Sequence, residues 1–285
     1  MIVLDNPRQI ARDAIQASIS ADLWQQNGAF IADLKRRVKQ HPVSSHPAID
    51  ALNQGRFDRD QLKQVHLEYR HAIVQIFTDA LLVAQYQSRQ LEPRLTPGNK
   101  MHARFLLTLN TLDEFGFQPG VDALGYYRGN PAYAHYPLFE HVLNELDISI
   151  EDRCSYVPSS IAAEVRNYLE SSFDQFSQVS SLLAVAEEEV VLFSAPLRRN
   201  AKAVGVTVTS GYYLCHGTSD DLDAEASDDD HEDDLWYVLM QALTPDQYEE
   251  IAALCQRYCD LWVRFWDAQM DLLNSAEVPA MLIAG

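Results

Sequence analysis

Apolar residues recur at helical spacing along almost the whole chain. Between residues 6 and 40 the stripe Ile10, Ala14, Ile15, Ile19, Leu23, Phe30, Ile31, Leu34 and Val38 follows Asn6-Pro7, a cap with proline at the first helical position. Asn27-Gly28 is expected to divide that stretch into two helices. His46-Pro47 opens a short helix closed by Gly55, and Asp58 caps a long amphipathic one running to about residue 91. Pro93 and Pro97 stop it. An apolar run, FLLTLNTL, then leads to Asp113 and Glu114, and Gly116, Pro119 and Gly120 end that helix at once. A loop to Asn130 precedes a helix over 132–146. The stretch from Pro158 to about residue 203 divides near Phe173–Ser177. A further helix is expected from Val208 through His216, and periodicity resumes at Leu235–Leu243. Thr244-Pro245-Asp246 caps the last helix, striped by Ile251, Leu254, Tyr258, Leu261, Phe265 and Trp266. VGVTVTS at 204–210 is the only β-leaning run, and it is short. The pattern predicts an all-α bundle of eight to ten helices.

Size and composition narrow this further. No spacer rich in Gly, Pro or Ser divides the 285 residues, so a single domain over 1–285 is expected, with 1–43 as an N-terminal helical extension. A basic segment followed by an apolar core and cleavage site is missing near the start, and apolar runs are short, which points to a cytoplasmic protein without membrane contact. A net charge of −19 disfavours nucleic acid, whose phosphates need a basic surface. Much of that charge is local, with ten acids in the fifteen residues 220–234, which reads as a solvated acidic insertion. Four cysteines without a CxxC suggest reduced core thiols.

Candidate chemistry lies in acids and histidines that break the pattern. Glu114 should sit at the end of a buried helix, where a carboxylate needs a partner or a cation. Glu187, Glu188 and Glu189 interrupt the apolar LLAVAEEEVVLF; the inward stripe directs Glu188 away from the core and leaves Glu187 and Glu189 flanking it. His216 and Asp220, four apart, share a helix face, and His231 lies three residues beyond Asp228. Carboxylates and imidazoles from separate helices suit iron or manganese pairs. The ferritin-like ligand pattern is not met, because Glu68–His71 is the one ExxH.

In order, HPAIDALNQGRFDRDQL, NTLDEFG, AHYPLFEHVL, an acidic position on a mid-chain helix and YYLCHGTSD resemble the haem-oxygenase-like diiron oxidases and oxygenases, over about residues 44–243. The resemblance implies a single-domain haem-oxygenase-like helical bundle holding two Fe(II) ions per chain, with O2 as co-substrate. Its ligands map to Glu114, His135, Glu187 (with Glu188 or Glu189 as the alternatives), His216, Asp220 and His231. Asp223 stands where the last histidine is expected, so residues 221–228 read as an insertion with His231 restored to the site; if the insertion comes earlier, Asp228 replaces Asp220. The 21 residues separating Glu114 from His135 are also more than usual, and the 116–130 loop absorbs them. The resemblance further implies N-oxygenation, desaturation or C–C cleavage of a small amino-acid-, amine- or fatty-acid-like substrate, and is compatible with an external electron donor and a homodimer. Arg70, Arg104 and Arg128 are candidate carboxylate anchors. Two other classes stay open: a metal-free pocket enzyme similar to thiaminases or quinone-cofactor synthases, and a non-enzymatic helical binding protein.

Overall fold

Proline, serine, histidine and aspartate caps cut the chain into helices that differ in how far they are buried. The computed structural model describes residues 6–117, 129–215 and 227–276, the last stretch without the side chains of 227–232 and 276. In chain order the helices are α1 (Pro7–Ala17), α2 (Ala21–Lys39), α3 (Pro47–Asn53), α4 (Arg59–Tyr69), α5 (Phe77–Gln87), α6 (Lys100–Glu114), α7 (His135–Glu145), α8 (Ile150–Ser155), α9 (Ser160–Glu170), α10 (Phe176–Ala203), α11 (Tyr212–Cys215), α12 (Ser227–Ala242) and α13 (Tyr248–Ala276). Among the described residues there is no strand, only an isolated bridge between Phe117 and Gly129. No helix among them is long and apolar enough to cross a membrane.

The bundle is built around α10. Every residue from Val179 to Val190 is buried, because α3, α5, α9, α12 and α13 surround the helix. A helix apolar on one side only could not occupy that place; α10 is apolar nearly all round, apart from its serines and three glutamates. Against it α13 packs Trp262, Phe265 and Trp266, all fully buried, with the Trp266 ring stacked 4.1 Å from Phe193. Aromatic residues of this size contribute several kcal/mol each through burial.

Several boundaries differ from the sequence expectation. The N-terminal stretch breaks at Ser18–Ser20, where the Ser20 side chain caps α2, and Gly28 lies inside that helix. Its missing side chain is used for packing instead: a Cβ there would meet Met240 Cε at 3.1 Å. Neighbouring Asn27 donates to the carbonyls of Met240 and Leu243 at the end of α12. The helix capped by Asp58 is interrupted by a π-turn over Arg70–Val74, closed by Gln75 N–H to Arg70 C=O at 3.0 Å. The extra residue shifts the helical phase, but Ala72, Ile73, Val74, Ile76 and Phe77 make the run through it apolar nearly throughout, which is why periodicity does not reveal it. A short helix, α8, goes unforeseen, and α11 begins at Tyr212 rather than near Val208.

Three clasps bind the N-terminal helices to the rest. His41 and His46 each precede a proline and cap the turn that follows by accepting a backbone N–H at Nδ1. Their Nε2 atoms lie 3.1 Å from Asp260 and Asp267, two turns apart on α13. Asp234, at the edge of the acidic stretch, is buried rather than solvated, bridged by Arg8 at 3.1 Å and Arg12 at 2.7 Å from α1. Of the cysteines, Cys255 and Cys259 are buried thiols as expected, whereas Cys154 is exposed.

Candidate functional site

Five helices and the π-turn meet at a small cavity. It is lined by Ile73, Val74, Phe77, Glu114, His135, Tyr136, Glu187, Val190 and Tyr212, and its volume of about 20 Å³ is room for an ion or a water. The π-turn is what brings Ile73 and Val74 to this wall together with Phe77 at the start of α5.

Glu114 ends α6 and His135 begins α7, and Gly116 lets the chain after α6 lie against the residues that precede α7. At φ +80 this glycine occupies a conformation that L side chains rarely adopt, and a Cβ there would lie 2.5 Å from Asn130 O and 2.7 Å from Ala134 N. Gly116 C=O accepts the Asn130 N–H at 3.1 Å. With the turn closed, His135 Nδ1 lies 2.8 Å from Glu114 Oε1, both residues being buried. Asp113 Oδ2 is 3.8 Å from Nε2 of the same ring, and the Cys215 thiol hydrogen-bonds it as well. Burial opposes a charge on His135, but Glu114, Cys215 and Asp113 outweigh it and raise the imidazole well above its ordinary value. The surroundings are therefore arranged to stabilise a cation.

The three consecutive glutamates of α10 point about 100° apart around the helix and are all buried, so Glu188 is not directed to solvent. Glu187 enters the cavity and accepts from Asn110 Nδ2 at 2.8 Å. Glu188 Oε1 is 3.9 Å from Lys39 Nζ. Glu189 accepts from Tyr69 OH at 2.8 Å and Trp266 Nε1 at 2.9 Å; burial pushes its carboxyl up to about 8 against those two donors.

Of the six residues expected as ligands, Glu114, His135 and Glu187 line one cavity. His216 and Asp220, with the alternative Asp228, lie outside the described residues, and so does the side chain of His231 on α12. Among the described residues no three His, Cys, Asp or Glu side chains form a group that could hold a metal ion. Glu68 is engaged elsewhere, accepting from Tyr156 OH, Gln64 and Ser159, and its ExxH partner His71 stands in the π-turn. Among the arginines, Arg70 binds Glu140 and Tyr136 OH, Arg104 binds Ser88 Oγ on the outer side of α6, and Arg128 lies outside the described residues. Sequence reasoning missed Asn110, four residues before Glu114 on the same helix face, and Cys215, one residue before His216.

No protein-family profile and no curated protein matches the sequence. Several solved structures resemble it in fold. A CADD-like protein of unknown function from Nostoc punctiforme superposes with a TM-score of 0.61 at 15% identity, over 87% of this chain and 99% of that one. A TenA homolog from Pseudomonas syringae pv. tomato gives 0.58 at 13% identity, over 87% of this chain and 93% of that one. A TenA family transcription regulator from Silicibacter gives 0.54 at 11% identity, over 85% and 95%. These neighbours share the all-helical haem-oxygenase-like fold, and the chain has that fold.

Proposed function

We propose that this chain is a non-haem enzyme that binds two Fe(II) ions at a centre of which the α6–α7–α10 cavity forms one part, and uses O2 to oxidise a small amino-acid-, amine- or fatty-acid-like substrate. The observation that supports it is the convergence of Glu114, His135 and Glu187, from three helices, on one ion-sized cavity with otherwise largely apolar walls. The donor set suits a hard to borderline cation: carboxylate oxygens and an imidazole, in surroundings that already favour positive charge at His135. His216, Asp220 and His231 would complete the set.

Bound Fe(II) would supply electrons and open positions for O2. The chain's own residues set the conditions. Asn110 fixes the orientation of Glu187, and Asp113 and Cys215 hold the His135 ring in place. Ile73, Val74, Phe77 and Val190 keep water from the cavity. Anaerobic loading with Fe(II) followed by metal analysis is the test. About two irons per chain are expected, with at least half lost in Glu114→Ala, His135→Ala and Glu187→Ala. Absence of bound iron, or full occupancy in all three variants, rejects the reading.

Cys215 favours a second reading. Its thiol, His135 and Glu114 form a nucleophile, base and orienting carboxylate in sequence, as a metal-free pocket enzyme of thiaminase type would require. Alkylation of Cys215 by iodoacetamide separates the two: bound Fe(II) slows it under the first reading and leaves it unchanged under the second.

A further inference from the structure

α11 brings two residues to the cavity: Tyr212 forms part of its wall, and the Cys215 thiol hydrogen-bonds His135. The helix is four residues long, and Gly211, at φ +74, turns the chain into it from a stretch without helix or strand. A single helical turn has no stability of its own, so contacts with its neighbours have to set where it lies. It packs against α7 and α10.

The side chain that meets Tyr213 is His66 of α4. Tyr213 is 1% exposed, and its phenol donates to His66 Nε2. The direction of that bond is fixed from behind. Leu62 C=O, one turn earlier on α4, can only accept, so it takes the Nδ1 proton at 2.7 Å and leaves Nε2 with a lone pair. Burial keeps the ring neutral near pH 7, and the lone pair stays available. The same imidazole stacks on Phe139 of α7 at 5.7 Å, and Phe139 meets the Tyr212 ring edge-on at 4.9 Å. Phe139 lies four residues beyond His135, on the same face of α7. His66 therefore touches both helices whose residues have to meet, α7 with His135 and α11 with Cys215.

We propose that His66 is a positioning residue: as the acceptor for Tyr213 it fixes α11 so that Cys215 meets His135, without itself lining the cavity. The proposal rests on this cavity being the functional site, and it holds for either reading above, since it places a thiol against an imidazole whatever the two then do. A histidine that merely fills space needs its ring; a positioning one needs the acceptor at Nε2. Substitution separates the two.

The test is alkylation of the metal-free chain by iodoacetamide, followed cysteine by cysteine with mass spectrometry. It is run at about pH 9.5, above the ordinary thiol value of about 8.5, so that the rate reports access to the thiol rather than its ionisation. Tyr213→Phe keeps the ring and removes the hydroxyl, whereas His66→Leu keeps most of the bulk and removes the acceptor. Each should speed the reaction of Cys215 about fivefold or more, because a buried polar group left without its partner lets α11 open locally. His66→Gln, whose Oε1 can take the Tyr213 proton, should stay within about twofold of the wild type. Exposed Cys154 should react at one rate throughout, and buried Cys255 and Cys259 should stay protected. Tyr213→Phe carries the test alone should His66→Leu not fold. Three results overturn the proposal: a smaller rise at Cys215 in Tyr213→Phe, a His66→Gln rate that matches Tyr213→Phe, or a parallel rise at Cys255 and Cys259, which would mark a general loosening of the bundle. Iron takes no part in the experiment, so its outcome and that of the Fe(II)-loading test fail separately.

Discussion

His66 shows how burial sets the behaviour of a single residue. Its Nδ1–H donates to Leu62 C=O at 2.7 Å, its Nε2 accepts from Tyr213 OH, and burial pushes the imidazole down to about 4 despite the Leu62 contact. An unfolded chain takes up a proton there near pH 6.5, and the folded one does so only near pH 4. Stability is therefore lost as pH falls through that window, by about 3 kcal/mol once it is crossed. Glu189, pushed up to about 8, gains stability over the same fall in pH, so the loss is read as a difference: between pH 7 and pH 4.5 the urea stability of the wild type should fall relative to that of His66→Gln by about 2 kcal/mol. The glutamates of α10 make the complementary point. Their buried positions follow from the apolar residues on either side, but which of them enters the cavity does not. That is decided by Asn110, Tyr69, Trp266 and Lys39, contributed by helices remote in sequence.

Among the elements, those with caps written into them were legible. Asn6-Pro7, His46-Pro47, Asp58 and Thr244-Pro245 all start helical turns where expected, and Asp58 forms a capping box with Gln61. Features created by tertiary contact were not. Gly28 looks like a breaker but sits inside α2 against the end of the Met240 side chain, and the π-turn is hidden in a run that is apolar nearly throughout. The end of α6 after Glu114 was readable because Gly116 marks it, and it gives a prediction. Gly116→Ala should cost about 1–3 kcal/mol through its positive φ and the clash with Asn130 and Ala134. It should also part Glu114 from His135. A fall in melting temperature with reduced iron uptake is expected; an unchanged melting temperature would show that the turn tolerates a side chain.

For the molecule as a whole, charge is arranged with more purpose than its total suggests. Among the described residues most acids are exposed, yet Asp234 is buried under Arg8 and Arg12 and joins α1 to α12. Asp234→Ala removes the carboxylate that joins the part-exposed Arg8 and Arg12 to α12 and should cost about 2 kcal/mol, less than a fully buried pair, read as a lower urea midpoint with early proteolysis near residue 20. The all-helical architecture could be deduced from periodicity, since long amphipathic stripes admit few other solutions. The site could be deduced only in part: Glu114 and His135 announce themselves by a turn, whereas Cys215 resembles any small core residue until the fold sets it against an imidazole.

The paired histidine clasps also bear on how the protein is made. His41 waits for Asp260, a separation of 219 residues, and His46 waits for Asp267. At about 5–20 residues per second, a ribosome needs on the order of ten to forty seconds to synthesise what lies between. For that interval the first helices have no final wall to close against, so a nascent chain of this design depends on whatever shields its apolar stripes until α13 emerges.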